Sequence, residues 1–212
     1  MKKSAEGFAR VAREVFAPIY PPVVAEQALA WSGIRDGIAL DLGSGPGLLS
    51  VALAEKSNLS VVALDADPAM SRIARTTAAG SAGRVIPVTG DVHCMPIRDN
   101  TVSLIVSRGS IYFWEDRPRA FLEIERVLRP GGVAYVGGSF GTPELRETIF
   151  NEMRRRNPNW DSDVARRSGQ ATPETLRKEL AESGVAHARL REEEEGGMWV
   201  EIRKDAISPR AR

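Results

Sequence analysis

The chain has one cysteine, Cys94, in 212 residues, which excludes an internal disulfide and fits a reducing compartment. Its two histidines, His93 and His187, stand far apart with no cysteine partner, so no structural zinc or other metal site is expected. An excess of one charge is also missing. The 29 basic and 28 acidic residues leave a net charge of +1, which gives no long-range pull toward nucleic acid. No apolar run approaches the ~20 residues that cross a bilayer, so no membrane partner is expected. Glu6, Arg10, Arg13 and Glu14 occupy the stretch where a signal peptide needs apolar residues. A mature cytoplasmic protein is the expectation. The pattern carries no sign of oligomeric state.

What is present is ordinary in bulk and specific in one place. Hydrophobic residues make up 42% and charged residues 27%, as in a soluble globular chain of one domain. Within it, the apolar residues 38–42 read as a buried strand, Gly43, Gly45 and Gly47 alternate behind it, and residues 48–55 continue in helix formers. Strand, glycine turn and helix open a nucleotide-binding βαβ unit. Glycine serves there because a side chain would hold a ligand off the backbone, and because the turn calls for positive φ. The helix start behind it offers free N–H groups. The spacing Asp41-x-Gly43-x-Gly45-x-Gly47 is no dinucleotide fingerprint, since that would place its third glycine at Leu48. Nor is it a P-loop, which would end in Gly-Lys-Ser/Thr.

Residues 59–64 read as a second strand ending at Asp65, 22 positions after Gly43 and near the ~20 expected of an acid that binds a ribose. Asp67-Pro68 reads as a cap with proline at the first helical position. Residues 85–89 and 101–106 supply a third and fourth strand. Residues 118–128 form a helix burying Phe121, Ile124 and Leu128, and Pro130-Gly131-Gly132 turns the chain sharply into a strand at 133–137. Thr142-Pro143 and Thr172-Pro173 start further helices, with 157–171 polar and irregular between them and Trp160 isolated there. Residues 186–190 and 198–202 read as paired strands joined across Gly196-Gly197. At the ends, residues 5–31 form one or two helices broken at Pro18, Pro21 and Pro22, and 205–212 form a loose tail. Arg154, Arg155, Arg156, Arg166 and Arg167 read as a solvated face, and Phe113 with Trp114 as core.

The glycine motif, Asp65, the segment Gly90-Asp91-Val92 and the run from Phe121 to Gly132 together resemble the class I S-adenosylmethionine-dependent methyltransferases of small-molecule type. The resemblance spans Phe16 to Lys204. It implies one α/β domain over 1–212: a Rossmann-like, doubly wound, mostly parallel seven-stranded sheet with a C-terminal antiparallel hairpin and helices on both faces. Residues 1–31 become a helical lid, and S-adenosylmethionine the methyl donor. By position, Asp41, Gly43, Ser44, Gly45 and Gly47 surround its methionine and ribose part, Asp65 and Ala66 its ribose, Asp91 and Val92 its adenine, and Ser107 its methyl end.

The acceptor is expected to be a small molecule touching Phe16, Tyr20, Arg108 and Tyr112. If it must lose a proton, Tyr20, His93 and Tyr112 are the candidate bases, whereas an adjacent His93–Cys94 catalytic pair is not expected. Arg108 has two readings: it meets a carboxylate on donor or acceptor, or it pairs with Glu115 or Asp116. Three rivals stay open at this point: a methyltransferase of RNA or protein, a non-catalytic donor-binding module, and a nicotinamide enzyme, which Leu48 disfavours.

Overall fold

The apolar run after Gly37 becomes strand β1 (Ile38–Leu42), buried from Ala39 onward. It lies inside a seven-stranded sheet in the computed structural model, which describes residues 4–192 and 197–206, without the side chains of 22–24. Its neighbours, both parallel, are β2 (Ser60–Asp65) and β4 (Val102–Arg108). With β3 (Val85–Thr89), β5 (Leu128–Gly138), β6 (Ala188–Glu192) and β7 (Met198–Arg203) the order is β3-β2-β1-β4-β5-β7-β6. β7 runs antiparallel to both its neighbours, so it alone opposes the other six. The strand order reverses between β1 and β4, which opens a crevice at their carboxyl ends.

Alternation along the buried strands divides the core in two. Ala39, Val61, Leu104 and Tyr135 face the N-terminal segment, α3 (Leu48–Glu55) and α6 (Pro143–Arg156). Leu40, Leu42, Ile105 and Val136 face α5 (Arg117–Val127) and α8 (Pro173–Ser183). Proline at the first turn behind a Thr or Asp cap starts α4 (Pro68–Thr77), α6 and α8, in line with the Asp-Pro and Thr-Pro pairs of the sequence. Among the described residues no helix is long and apolar enough to cross a membrane.

The N-terminal prolines, contrary to expectation, do not break the helix. From α1 (Ala5–Val11) to α2 (Glu26–Ser32) the chain stays right-handed, through a wide turn at Ala12–Phe16, a tight one at Ala17–Ile19 and a second wide one at Tyr20–Ala25. Changing the helical pitch relieves the clash between a proline ring and the carbonyl four residues back. Residues 160–168, expected to be irregular, form α7 (Trp160–Ser168), anchored by a buried Trp160. Pro130-Gly131-Gly132 makes no separate reversal. β5 already begins at Leu128, and its register slips opposite Val102 and Leu104. Phe113 is 67% exposed, whereas Trp114 is core as expected.

The arginines of α6 and α7 are paired with acids in the main: Arg154 with Asp161, Arg155 and Arg156 with Glu152, Arg166 with Asp163. Arg167 instead lies over Trp160. In the closing hairpin Gly196 lies outside the described residues, as do positions 207–212 of the tail.

Candidate active site

The glycine loop is built from its neighbours. Gly43 has φ +65°, and a Cβ there would stand 2.3 Å from the Ser110 Cβ, so the position admits no side chain. The N–H groups of Gly43 and Ser44 both donate to the Leu64 carbonyl, at 2.8 and 3.0 Å, which ties the loop to the end of β2. Gly47 is left-handed at φ +81° and gives α3 no side-chain cap, so its first N–H groups have no cap of their own. Ser44 Oγ is buried with no hydrogen-bond partner. Phe8 from α1 approaches to 3.5 Å of where a Gly45 Cβ would stand, which puts the N-terminal segment over the loop.

Two acids stand behind this loop. Asp41 is buried, and Ser50 Oγ donates to its Oδ2 at 2.6 Å. Burial pushes its carboxyl up to about 7, against the opposing pull of the Ser50 hydroxyl, and the charge of Asp65 adds to the rise. Asp65 accepts the Gly45 N–H through Oδ2 at 2.8 Å and the Asp67 N–H through Oδ1 at 2.9 Å. Burial raises its pKa, and those two backbone donors oppose the rise. Asp67 does something different. Its Oδ1 accepts the Ala69 N–H at 2.8 Å and caps α4, as expected. Ala66 is exposed between them.

Asp91 is exposed, and its Oδ1 accepts both the backbone N–H of His93 at 2.8 Å and the His93 Nδ1–H at 2.6 Å. Those bonds hold its carboxyl below the usual range. His93 Nε2 accepts the Asp116 N–H at 3.2 Å, so both ring nitrogens are engaged. Val92 and Met95 are buried with Leu64, and Cys94 is an exposed free thiol. Among the described residues no cluster of three metal-ligating side chains occurs.

Ser107 is fully buried, donates to the Leu42 carbonyl at 2.8 Å and lies 2.5 Å from Ser110 Oγ. Its hydroxyl thus stitches β4 to β1. Arg108 follows it, with its guanidinium carbon 5.7 Å from the Phe16 ring centre and 4.8 Å from that of Phe140. Its Nε–H donates to the Ser139 carbonyl at 3.3 Å, and its charge acts on the Tyr20 hydroxyl. The alternative pairing with Glu115 or Asp116 does not occur: Glu115 is exposed, and Asp116 caps α5 through the Arg119 N–H. Burial raises the pKa of Tyr20 and of Tyr112, and the Arg108 charge opposes both rises. The structure thus brings Phe16, Tyr20, Arg108 and Tyr112 into one neighbourhood, and leaves His93 bonded to Asp91 and to the start of α5.

Ser50, Ser110 and Phe140 carry no signal in the sequence. Ser50 lies on the first turn of α3, and its reach back to Asp41 leaves no motif. Ser110 and Phe140 follow strand ends, where no periodicity marks a side chain's direction.

An open, doubly wound sheet with a glycine loop at its switch point and an acid closing the next strand defines a Rossmann-like domain of the class I methyltransferase type. A sequence-family profile described as a methyltransferase domain matches residues 40–136. A solved structure from Methanococcus maripaludis, titled as a putative S-adenosyl-L-methionine-dependent methyltransferase, is 42% identical with a TM-score of 0.89. That match covers 98% of this chain and 94% of the other. The chain belongs to the S-adenosylmethionine-dependent methyltransferases.

An uncharacterized methyltransferase of Mycobacterium tuberculosis is 35% identical over 54% of this chain and 44% of its own length. A malonyl-[acyl-carrier protein] O-methyltransferase of Methylococcus capsulatus is 37% identical over 71% of this chain and 52% of its own. The chain thus spans about half the length of these curated relatives.

Proposed function

We propose that the chain transfers a methyl group from S-adenosylmethionine to a small-molecule acceptor in the crevice beyond β1 and β4. The observation that carries this reading is the bond from the Gly45 N–H to Asp65, because it sets a carboxylate and a left-handed glycine loop around the same space. The residues fit such a donor. Asp65 stands where an acid accepts from ribose hydroxyls. The unpartnered Ser44 Oγ and the uncapped start of α3 offer polar contacts along the loop. Asp91 and Val92 take the adenine end by their place after β3. Once bound, the donor supplies a methyl already activated by its sulfonium, and the departing C–S electron pair stays on sulfur.

The protein's share is alignment and exclusion of water. Fixing two reactants in line supplies ~7–11 kcal/mol of a bimolecular barrier. Phe8 and Phe16, carried by the N-terminal segment, cover the loop and the end of β4. No ready base stands there: Tyr20 and Tyr112 hold their protons more tightly than usual, and His93 has both nitrogens engaged. This arrangement suits an acceptor atom that is already deprotonated at neutral pH.

A small acceptor fits better than RNA, since most of the exposed arginines of α6 and α7 are matched by acids. The Methylococcus relative is named for malonyl-[acyl-carrier protein], an acyl group borne on a carrier protein, so the transfer assay also includes acyl-carrier protein conjugates. The test is calorimetric titration with S-adenosylhomocysteine, then methyl transfer from labelled donor to a metabolite panel, to total RNA and to protein. Label passing only to RNA or protein overturns the small-molecule reading. Donor binding without transfer to any of them leaves a binding module.

A further inference from the structure

Arginines drawn into this fold find partners in three ways: some meet carboxylates, Arg84 donates to the backbone carbonyls of Ala54 and Ser57, and Arg167 lies over the Trp160 ring. Arg117 makes a two-pronged pair with Glu179, Arg126 pairs with Glu123 and Asp99, and Arg191 pairs with Glu201. Arg108 is enclosed enough for desolvation to lower its pKa, yet among the described residues no carboxylate pairs with it. Its neighbours are a backbone carbonyl, two tyrosines and two phenylalanine rings. A guanidinium has five N–H donors in a fixed fork, and these contacts leave most of them without an anionic partner. Burial of an unpaired charge is costly, and the cost is recovered when a complementary anion enters.

Position indicates which anion. Along the carboxyl edge of the sheet, the ribose acid Asp65 closes β2, the glycine loop follows β1, and Arg108 closes β4. Arg108 leans further still, onto Ser139 and Phe140 beyond β5. It therefore lies on the far side of the loop from the ribose end. We propose that Arg108 anchors a carboxylate on the methyl acceptor, between the rings of Phe16, Tyr20, Tyr112 and Phe140, so that the acceptor is a small organic acid with an apolar body.

The proposal rests on the methyltransferase reading, and one set of titrations separates the two. Wild type, Arg108→Met and Arg108→Lys are titrated with S-adenosylhomocysteine and with 5′-methylthioadenosine, which lacks the amino-acid carboxylate. With S-adenosylhomocysteine saturating, they are then titrated with a panel of aliphatic and aromatic monocarboxylates and the matching primary amides. Denaturant unfolding checks that each variant is folded.

The expected result is binding of some acids by wild type at least about tenfold above their amides. Arg108→Met loses that preference, Arg108→Lys keeps part of it, and S-adenosylhomocysteine affinity changes less than about threefold. Loss of S-adenosylhomocysteine with 5′-methylthioadenosine unchanged overturns the proposal, because the anchored carboxylate then belongs to the donor. A panel with no acid-over-amide preference, or a preference that survives in Arg108→Met, overturns it too. Failure of wild type to bind S-adenosylhomocysteine brings down the methyltransferase reading itself.

Discussion

Asp65 and Gly45 are joined by a 2.8 Å hydrogen bond, so the acid that ends β2 also fixes the turn that follows β1. Asp65→Ala removes a charged acceptor from the loop and, on the proposed function, from the ribose as well. Bonds to a charged group contribute ~1.5–3 kcal/mol, so donor affinity is expected to fall roughly 10- to 150-fold by calorimetry. Asp67→Ala is the control two positions away. It removes only the α4 cap, and is expected to cost about 0.5–2 kcal/mol in denaturant unfolding while donor affinity stays within a few-fold. The opposite assignment of the two losses would move the ribose contact to Asp67.

Gly43 and Ser110 exclude each other's side chains. Gly43→Ala meets two penalties: ~1–2 kcal/mol for a left-handed alanine, and ~1–3 kcal/mol for overpacking against Ser110. Gly43→Ala combined with Ser110→Gly removes the second and keeps the first. The double variant is therefore expected to be more stable than Gly43→Ala alone, as measured by denaturant unfolding. If the second change brings no recovery, the crowding seen at Ser110 does not limit the loop.

Asp41 makes stability depend on pH. Its carboxyl titrates at about 7 in the folded chain, against an ordinary value of 3.8. The unfolded chain thus releases this proton first, and the carboxyl's contribution to stability is lost as pH rises from about 4 through about 7. The full loss, at one kcal-scale step per pH unit, is roughly 4 kcal/mol above neutrality. Asp41→Asn keeps an acceptor for the Ser50 hydroxyl and has no proton to lose. Unfolding curves are expected to show the variant close to wild type near pH 4 and more stable at pH 8. Parallel pH profiles would rule out this titration.

Trp160 holds α7 against the rest of the molecule, with ring centres 6.2 Å from Phe16 and 5.8 Å from Phe150. Trp160→Ala is expected to cost about 3–5 kcal/mol in denaturant unfolding. Trp160→Phe is expected to cost less than half of that. It keeps much of the ring volume and removes an indole N–H that is buried without a partner. A phenylalanine variant as unstable as the alanine one would show that shape, and not buried ring area, governs the site.

The central strands and the glycine loop were legible because each answers to a local rule. A buried strand is a run of apolar residues, a left-handed turn calls for glycine, and Asp67-Pro68 starts a helix wherever it stands. The place of Asp65 at the end of β2 was legible from the sequence, although its hold on Gly45 was not. α7 escaped because Trp160 is its only buried residue: a helix fixed by one ring has no periodic stripe to read. The N-terminal segment escaped for another reason. Proline signals the loss of a hydrogen bond, and whether the chain then breaks or changes pitch depends on what packs against it. Arg108 was singled out in the sequence, but its aromatic surroundings come from three separate stretches of chain.

The last turn of the N-terminal segment carries Trp31, whose ring lies 6.0 Å from that of Trp199 and 5.2 Å from Tyr135, with the Arg191 guanidinium 4.4 Å above it. Indole emission responds to a cation at the ring face and to a second indole at its edge. The N-terminal segment therefore carries its own optical probe, seated on β5 and β7, away from the glycine loop. Any ligand that lifts or settles the segment will register in the intrinsic fluorescence of the unlabelled protein, and stopped-flow mixing can time that motion separately from the chemistry.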